Sequence, residues 1–247
     1  MTIIACYSIK GGVGKSASSV NLAYESAIGG LDTLLVDLDP QAASSFYLQA
    51  KQPQKPLADI LLDKKSPLEK MVQQTRYRKL DILPADTSYR HLDLLLDKVT
   101  KSTKKFKSSI SRIAKSYDVV ILDCPPNITL LSETLFKIAD ILLVPIIPTA
   151  LSLRTLEQLI DTLKSSKSKP DNVFPFFTMV QGRKRMHLQM MEHISQYWPQ
   201  TLKRRIPFNA DIEKMGTYKQ PVQTFAQRSI GAMAYQMLWQ EVIEIIE

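Results

Sequence analysis

The chain has 247 residues, 45% of them hydrophobic, enough to bury the core of one α/β domain, and a single domain over 1–247 is expected. Its 32 Lys and Arg against 24 Asp and Glu give a formal net charge of +8, a surplus that points to a polyanionic partner. No apolar run reaches the ~18 residues that cross a bilayer, and Met1-Thr2-Ile3-Ile4 lacks the charged start of a secretory signal, so a cytoplasmic location is expected.

Ile3-Ile4-Ala5-Cys6-Tyr7 reads as a short buried strand, and Lys10-Gly11-Gly12-Val13-Gly14-Lys15-Ser16 follows it. Glycines let such a loop bend tightly, so successive N–H groups point into one concavity. The helix expected over 16–28, with Val20, Leu22, Ala23 and Ala27 at helical spacing, adds its positive N-terminal end. A triphosphate fits there. Lys15 would meet the β/γ-phosphates as a point charge, and the Ser16 hydroxyl would ligate Mg²⁺. Ile9 fills the first glycine position of the general G-x-x-x-x-G-K-S/T pattern, and Lys10 is an added cation at the front edge.

Thr33-Leu34-Leu35-Val36-Asp37 is a second strand pattern, and Asp37-Leu38-Asp39-Pro40-Gln41 places carboxylates at its C-terminal end, where ligands bind in open α/β sheets. A polar loop over 51–56, a short strand at Leu80-Asp81-Ile82-Leu83-Pro84 and a helical stripe of Leu92, Leu95, Leu96 and Val99 come next. Residues 98–115 hold Lys98, Lys101, Lys104, Lys105, Lys107, Arg112 and Lys115 with no acid, a pattern expected of a solvated helix face. Tyr117-Asp118-Val119-Val120-Ile121-Leu122-Asp123 is a hydrophobic strand closed by an aspartate and by Cys124-Pro125-Pro126. An apolar run over 139–148, an amphipathic helix over 153–163 and a strand over 173–180 continue the alternation. Continuous apolar strands alternating with helices indicate an α/β fold with a mainly parallel twisted sheet covered by helices on both faces.

Arg183-Lys184-Arg185 and Lys203-Arg204-Arg205 concentrate positive charge in the last third. The helix expected over 230–246 turns Ala234, Met237, Leu238, Val242 and Ile245 toward a core and carries Glu241 and Glu244, with Glu247 behind it. Cys6 and Cys124 lie in core strands without C-x-x-C spacing, so buried reduced thiols are expected rather than a disulfide or an iron–sulfur site.

Lys10 ahead of Gly-Gly-Val-Gly-Lys-Ser resembles the deviant Walker A loop of the ParA/MinD group of P-loop ATPases. The resemblance to ParA-family partition ATPases extends over nearly the whole chain. Asp37-Leu38-Asp39-Pro40-Gln41 resembles the family's switch I, Asp123-Cys124-Pro125-Pro126 its Walker B and switch II, and Ile206-Pro207, Pro221-Val222 and Ser229-Ile230-Gly231-Ala232 its carboxyl-terminal signature. It implies a P-loop NTPase fold with ATP and Mg²⁺ as cofactors and Mg-dependent ATP hydrolysis. On this basis Lys10, Gly11, Gly12, Val13, Gly14, Lys15, Ser16 and Ala17 bind the phosphates, Pro207 and Phe208 flank the adenine, and Ser16 and Asp123, with Asp39 beside them, hold the metal. Asp39 would orient the attacking water, Asp37 would anchor the switch or the metal's surroundings, and Lys15 and Lys10 would stabilise phosphoryl charge, Lys10 reaching across a nucleotide-sandwiched homodimer.

Two departures from the family pattern stand out. Lys15-Ser16-Ala17 replaces the usual Lys-Thr-Thr, and Phe208 stands where an arginine implicated in DNA binding is common, leaving Arg204 and Arg205 as substitutes. The function implied is a DNA-segregation ATPase for a plasmid or chromosome. ATP closes the dimer, Arg183, Lys184, Arg185, Lys203, Arg204 and Arg205 bind DNA non-specifically on the nucleoid, and a ParB-like partner triggers hydrolysis and release. With the loop starting near residue 10, no amino-terminal helix-turn-helix extension is expected, and neither is operator-specific autoregulation. The alternatives are a MinD-like membrane-surface ATPase, a positioning ATPase for a protein cargo, and a metabolic P-loop enzyme such as a biotin-pathway ligase. The acidic tail argues against stable membrane association, and the basic clusters have no use in the metabolic enzyme.

Overall fold

The computed structural model describes residues 1–53, 68–85, 102–166 and 172–246. The stripe expected at Leu92, Leu95, Leu96 and Val99, the charges of Lys98 and Lys101, and Glu247 lie outside the described residues, as does part of the 51–56 loop.

The apolar runs form the strands β1 (Thr2–Cys6), β2 (Thr33–Asp37), β4 (Leu80–Leu83), β5 (Val119–Asp123), β6 (Ile141–Ile146) and β7 (Val173–Val180), with the short edge strands β3 (Gln73–Gln74) and β8 (Arg205–Pro207). They make one eight-stranded sheet in the order β3-β4-β2-β5-β1-β6-β7-β8, parallel throughout except for β3. The chain leaves β1 toward β2 on one side, while β6 lies on the other. β1 is therefore the point where the winding reverses and a crevice opens beyond the strand ends.

Alternation along each strand sorts the side chains into two cores. Ile3, Ala5, Leu34, Val36, Val120 and Leu122 pack under the helices α3 (Ser102–Ala114), α4 (Leu130–Ile138), α5 (Ala150–Ser165) and α6 (Arg185–Tyr197). Ile4, Leu35, Ile121 and Leu143 pack under α1 (Lys15–Ile28) and α7 (Ile230–Ile246) on the opposite face. Two- and three-residue strands at the edges, one with Pro207 and an exposed Arg205, leave little edge for another sheet to extend.

One core assignment needs correction. Leu238 and Val242 of α7 are buried and Ala234 and Ile245 half-buried, but Met237 is exposed. The helix carries two apolar stripes, and the one that meets α1 and β8 runs through Gly231, Ala232, Tyr235, Leu238, Trp239 and Val242.

Candidate nucleotide site

The loop between β1 and α1 has the conformation an anion cradle needs. Gly12 and Gly14 adopt φ of 71° and 86°, left-handed values that favour glycine, and a Cβ added at Gly11 or Gly12 would meet nothing within 4 Å. Gly14 caps α1 with no side-chain hydrogen bond, whereas Thr129 and Thr149 cap α4 and α5 with their hydroxyls. The first N–H groups of α1 are thus left for a ligand. Behind the loop, the Thr178 hydroxyl donates to the Val13 carbonyl at 2.9 Å and fixes its back wall. Lys15 folds over the loop and its Nζ donates to the Lys10 carbonyl at 3.4 Å. Lys10 itself is half-buried and makes no ion pair among the described residues.

Facing the loop are two carboxylates, Asp37 and Asp123, aligned at the ends of β2 and β5 and both fully buried. Asp37 accepts the Ser45 N–H and hydroxyl, both at 2.7 Å, and the Asp39 N–H at 3.2 Å. Asp123 accepts the Ser44 hydroxyl at 2.7 Å and the Ser19 hydroxyl at 3.3 Å. Ser44 and Ser45 belong to α2 (Ala43–Tyr47), which begins just after Asp39-Pro40-Gln41. Burial and the facing Asp123 carboxylate push the Asp37 carboxyl above its ordinary range, against its bonds from Ser45 and Asp39. Burial raises Asp123 as well, opposed by the Ser44 and Ser16 hydroxyls, reinforced by Asp39 and again opposed by Lys15. Asp39, at the rim, holds the Gln41 N–H with one oxygen at 2.9 Å. Lys15, Ser16, Asp37, Asp39 and Asp123 therefore converge on one site, and Lys10 meets it through its carbonyl.

Beside the loop lies a cavity of about 90 Å³ lined by Gly14, Ala17, Thr178, Met179, Pro207 and Phe208, among others. A bulge in β7 gives Met179 a φ of 52° and brings its Cε to 4.0 Å from the position of a Cβ on Gly14. The carboxyl-terminal segments build the far wall. Asn21 of α1 accepts the Val222 N–H at 2.9 Å and donates to the Ala17 carbonyl at 2.7 Å, tying Pro221-Val222 to α1. A Cβ on Gly231 would lie 2.9 Å from Ile212 Cγ1 and 3.1 Å from Asn209 Oδ1, so only glycine lets α7 approach the 209–213 turn this closely. Ser19, Ser44, Ser45, Thr178 and Met179 were not legible as site residues. Their partners come from distant elements, and Ser44-Ser45 before Phe46-Tyr47 reads as an ordinary loop.

The comparisons agree with this geometry. A family model described as AAA domain, AAA_31, matches residues 1–174. The chain is 28% identical over 247 residues to the sporulation initiation inhibitor protein Soj of Bacillus subtilis, covering 97% of each. It is 28% identical over 249 residues to the chromosome partitioning protein ParA of Myxococcus xanthus, covering 98% of this chain and 88% of that one. This chain belongs to the AAA_31 family, in its ParA/MinD group. The fold overlays the septum site-determining protein MinD of Pyrococcus horikoshii, solved with Mg-ADP, at a TM-score of 0.83 and 22% identity, covering 99% of this chain and 97% of that one.

Two basic clusters of this ParA/MinD-group protein border one surface. Gly182 and Lys203, Arg204 and Arg205 line one groove of about 590 Å³, so the turn carrying Arg183, Lys184 and Arg185 and the second cluster flank the same surface. All six of these cations are exposed. His187 accepts the Gln181 N–H at 3.2 Å and holds the turn, while Glu241 accepts the Lys203 and Arg204 N–H groups at 2.7 and 2.8 Å. In contrast, Lys104 and Lys107 lie on the outer face of α3, whose Phe106, Ile110 and Ile113 are buried, and Arg112 pairs with Glu69 at 2.7 Å. That region is a solvated helix face. Among the described residues no helix is long and apolar enough to cross a membrane.

Proposed function

We propose that this protein is an ATP-hydrolysing positioning protein that binds ATP with Mg²⁺, dimerises around the nucleotide and segregates a DNA cargo by binding DNA non-specifically. The observation that carries the reading is the uncapped start of α1, bent over two left-handed glycines, set opposite the Asp37–Asp123 pair with Asp39 at the rim. Lys15 and the α1 N–H groups fit the β- and γ-phosphates, and the 90 Å³ cavity with Pro207 and Phe208 fits one edge of an adenine.

The residues also fit a magnesium ion. The Ser16 hydroxyl stands beside the buried Asp123 carboxylate, as suits a metal that takes its ligands from phosphate, water and one hydroxyl. Both oxygens of Asp123 already accept serine hydroxyls, so Asp123 would hold the ion through water. Bound magnesium would neutralise charge on the phosphate oxygens. Asp39 would orient water, Lys15 would compensate phosphoryl charge, and Lys10 would serve the second subunit's phosphates. Two copies of the Arg183–Arg185 and Lys203–Arg205 rims on one dimer would double the cations facing DNA phosphates, which links DNA affinity to ATP. A ParB-like activator would then release the protein by stimulating hydrolysis.

Co-sedimentation with duplex DNA and with anionic liposomes, under ATP, ADP or no nucleotide, tests this reading. Retention on DNA of any sequence only with ATP and Mg²⁺ is expected, because cations on phosphates carry no base information. Neutralising Arg183, Arg185, Arg204 or Arg205 should flatten the slope of log affinity against log salt by about 0.9 for each phosphate that is no longer paired. ATP-dependent capture by liposomes instead would favour a membrane-surface ATPase, and the absence of both would overturn a DNA cargo.

A further inference from the structure

The groove between β8 and α7 is not used by any step above except through its cations. Its floor is apolar. Ile230, Met233, Ala234 and Met237 follow one another at i, i+3, i+4 and i+7 along α7 and line it together with Val180 and Pro207. Ile230 is 67% exposed, Met233 43% and Met237 39%. The opposite stripe of the same helix already packs on α1 and β8, so among the described residues Ile230, Met233 and Met237 form an open apolar face about 10 Å long, two turns of helix. Single exposed apolar residues are ordinary, but a contiguous row in a concave surface marks a binding site.

We propose that this groove docks a short amphipathic helix of a partner protein, with apolar anchors on Ile230, Met233 and Met237 and acidic side chains over Lys203, Arg204 and Arg205. Charge complementarity selects the occupant. Among the described residues three cations, Lys203, Arg204 and Arg205, line the groove and no carboxylate does, while Glu241 behind them is engaged by the Lys203 and Arg204 N–H groups. Those two bonds fix the rim before anything docks, which lowers the ordering cost of binding. Methionine at two of the three anchor positions suits a helix laid in a groove, since its unbranched side chain adapts to the anchors it meets. Duplex DNA would meet the cations but leave the methionines uncovered, and a flat bilayer would not enter a concavity of about 590 Å³. Pro207 lines both this groove and the small cavity beside Gly14, so an occupant sits one residue from the nucleotide site. The docking does not depend on DNA being the cargo.

The test uses the whole protein and a fluorescent synthetic helix of about 18 residues, with leucines at i, i+3, i+4 and i+7 flanked by glutamates. A second peptide carries lysines in place of the glutamates. Saturable binding of the acidic peptide is expected, about tenfold or more tighter than the lysine version and weakened by salt. The exposed double variant Met233→Ser/Met237→Ser, which leaves the charge unchanged, should lose about tenfold or more in peptide affinity, and Arg204→Gln should weaken the acidic peptide but not the lysine peptide. DNA retention and its salt slope should be the same in the methionine variant as in the parent, so a failure of this docking is separable from a failure of DNA binding. Equal binding of both peptides, or unchanged affinity in the methionine variant, overturns the proposal. So does capture by phosphatidylglycerol vesicles that is lost in the methionine variant while neither peptide binds.

Discussion

Asp37 and Asp123 stand side by side at the ends of β2 and β5, and consecutive serines of one five-residue helix hold them, Ser45 on Asp37 and Ser44 on Asp123. α2 is thereby tied to both strands that flank the nucleotide site. Its outer residues are at the surface, with Phe46 exposed under the Lys219 ammonium at 4.9 Å. Any ligand that takes over a carboxylate oxygen from Ser44 changes what positions α2, which gives the site a direct route to the protein surface.

Ser45→Ala should therefore destabilise the fold. The hydroxyl donates to Asp37 and accepts the Ala85 N–H at 3.0 Å, so its loss leaves a buried donor and part of a buried carboxylate unsatisfied. The expected cost is about 1–3 kcal/mol, read as a lower urea midpoint at unchanged m-value. Ser44→Ala removes one bond from Asp123 and should cost less. Equal midpoints for Ser45→Ala and the parent would show that α2 is held by other interactions.

Lys15→Ala and Lys10→Ala separate the two lysines. Lys15 is buried over the loop, so its loss leaves phosphate charge uncompensated and should weaken ATP affinity by about two to three orders of magnitude. Lys10→Ala should bind ATP near normally as a monomer yet fail to dimerise, as sizing with ATP will show. A normal ATP-dependent dimer would remove the role across the interface.

Asp39→Ala should keep ATP affinity and the ATP-bound dimer but lose turnover by about a hundredfold or more, because the role proposed for it is in the transition state rather than the bound nucleotide. Its backbone bond to Asp37 and the Asp39–Gln41 turn make it part of the α2 lead-in. The variant's dimer should therefore persist in ATP longer than the parent's. Parental turnover would take Asp39 out of the mechanism.

The nucleotide site was legible where chemistry follows a continuous apolar strand. β1 with its glycine loop, β2 ending at Asp37 and β5 ending at Asp123 stand out because buried parallel strands carry no polar interruption until they reach the site. α2 did not stand out, since Ala43-Ser44-Ser45-Phe46-Tyr47 is too short for a periodic signal and its serines acquire meaning only from carboxylates on other strands. β8 is three residues with an exposed arginine and a proline, a pattern that reads as a loop. On α7 periodicity offers two apolar stripes and cannot say which is covered. Met237 falls on the open one, because α1 and β8 occupy the face of Tyr235 and Leu238.

Glu25 of α1 gives a prediction in pH. Its side chain is buried, Oε1 has no hydrogen-bond partner among the described residues, and burial pushes its pKa from 4.5 up to about 7. Below 4.5 both folded and unfolded chains hold the proton, and Glu25 adds no pH dependence. Between 4.5 and 7 the folded chain keeps a proton that the unfolded chain has released, so stability falls as pH rises, and above 7 the full penalty of a buried charge remains. Glu25→Gln is neutral throughout and should stabilise the protein at pH 8 by about 2 kcal/mol once solvent screening is allowed for. That is a Tm gain of about 5 °C for a chain of this size, shrinking toward zero by pH 4.5. Thermal unfolding of both proteins across this range checks it. A gain of the same size at both ends would mean that packing, and not the buried charge, sets the cost of Glu25.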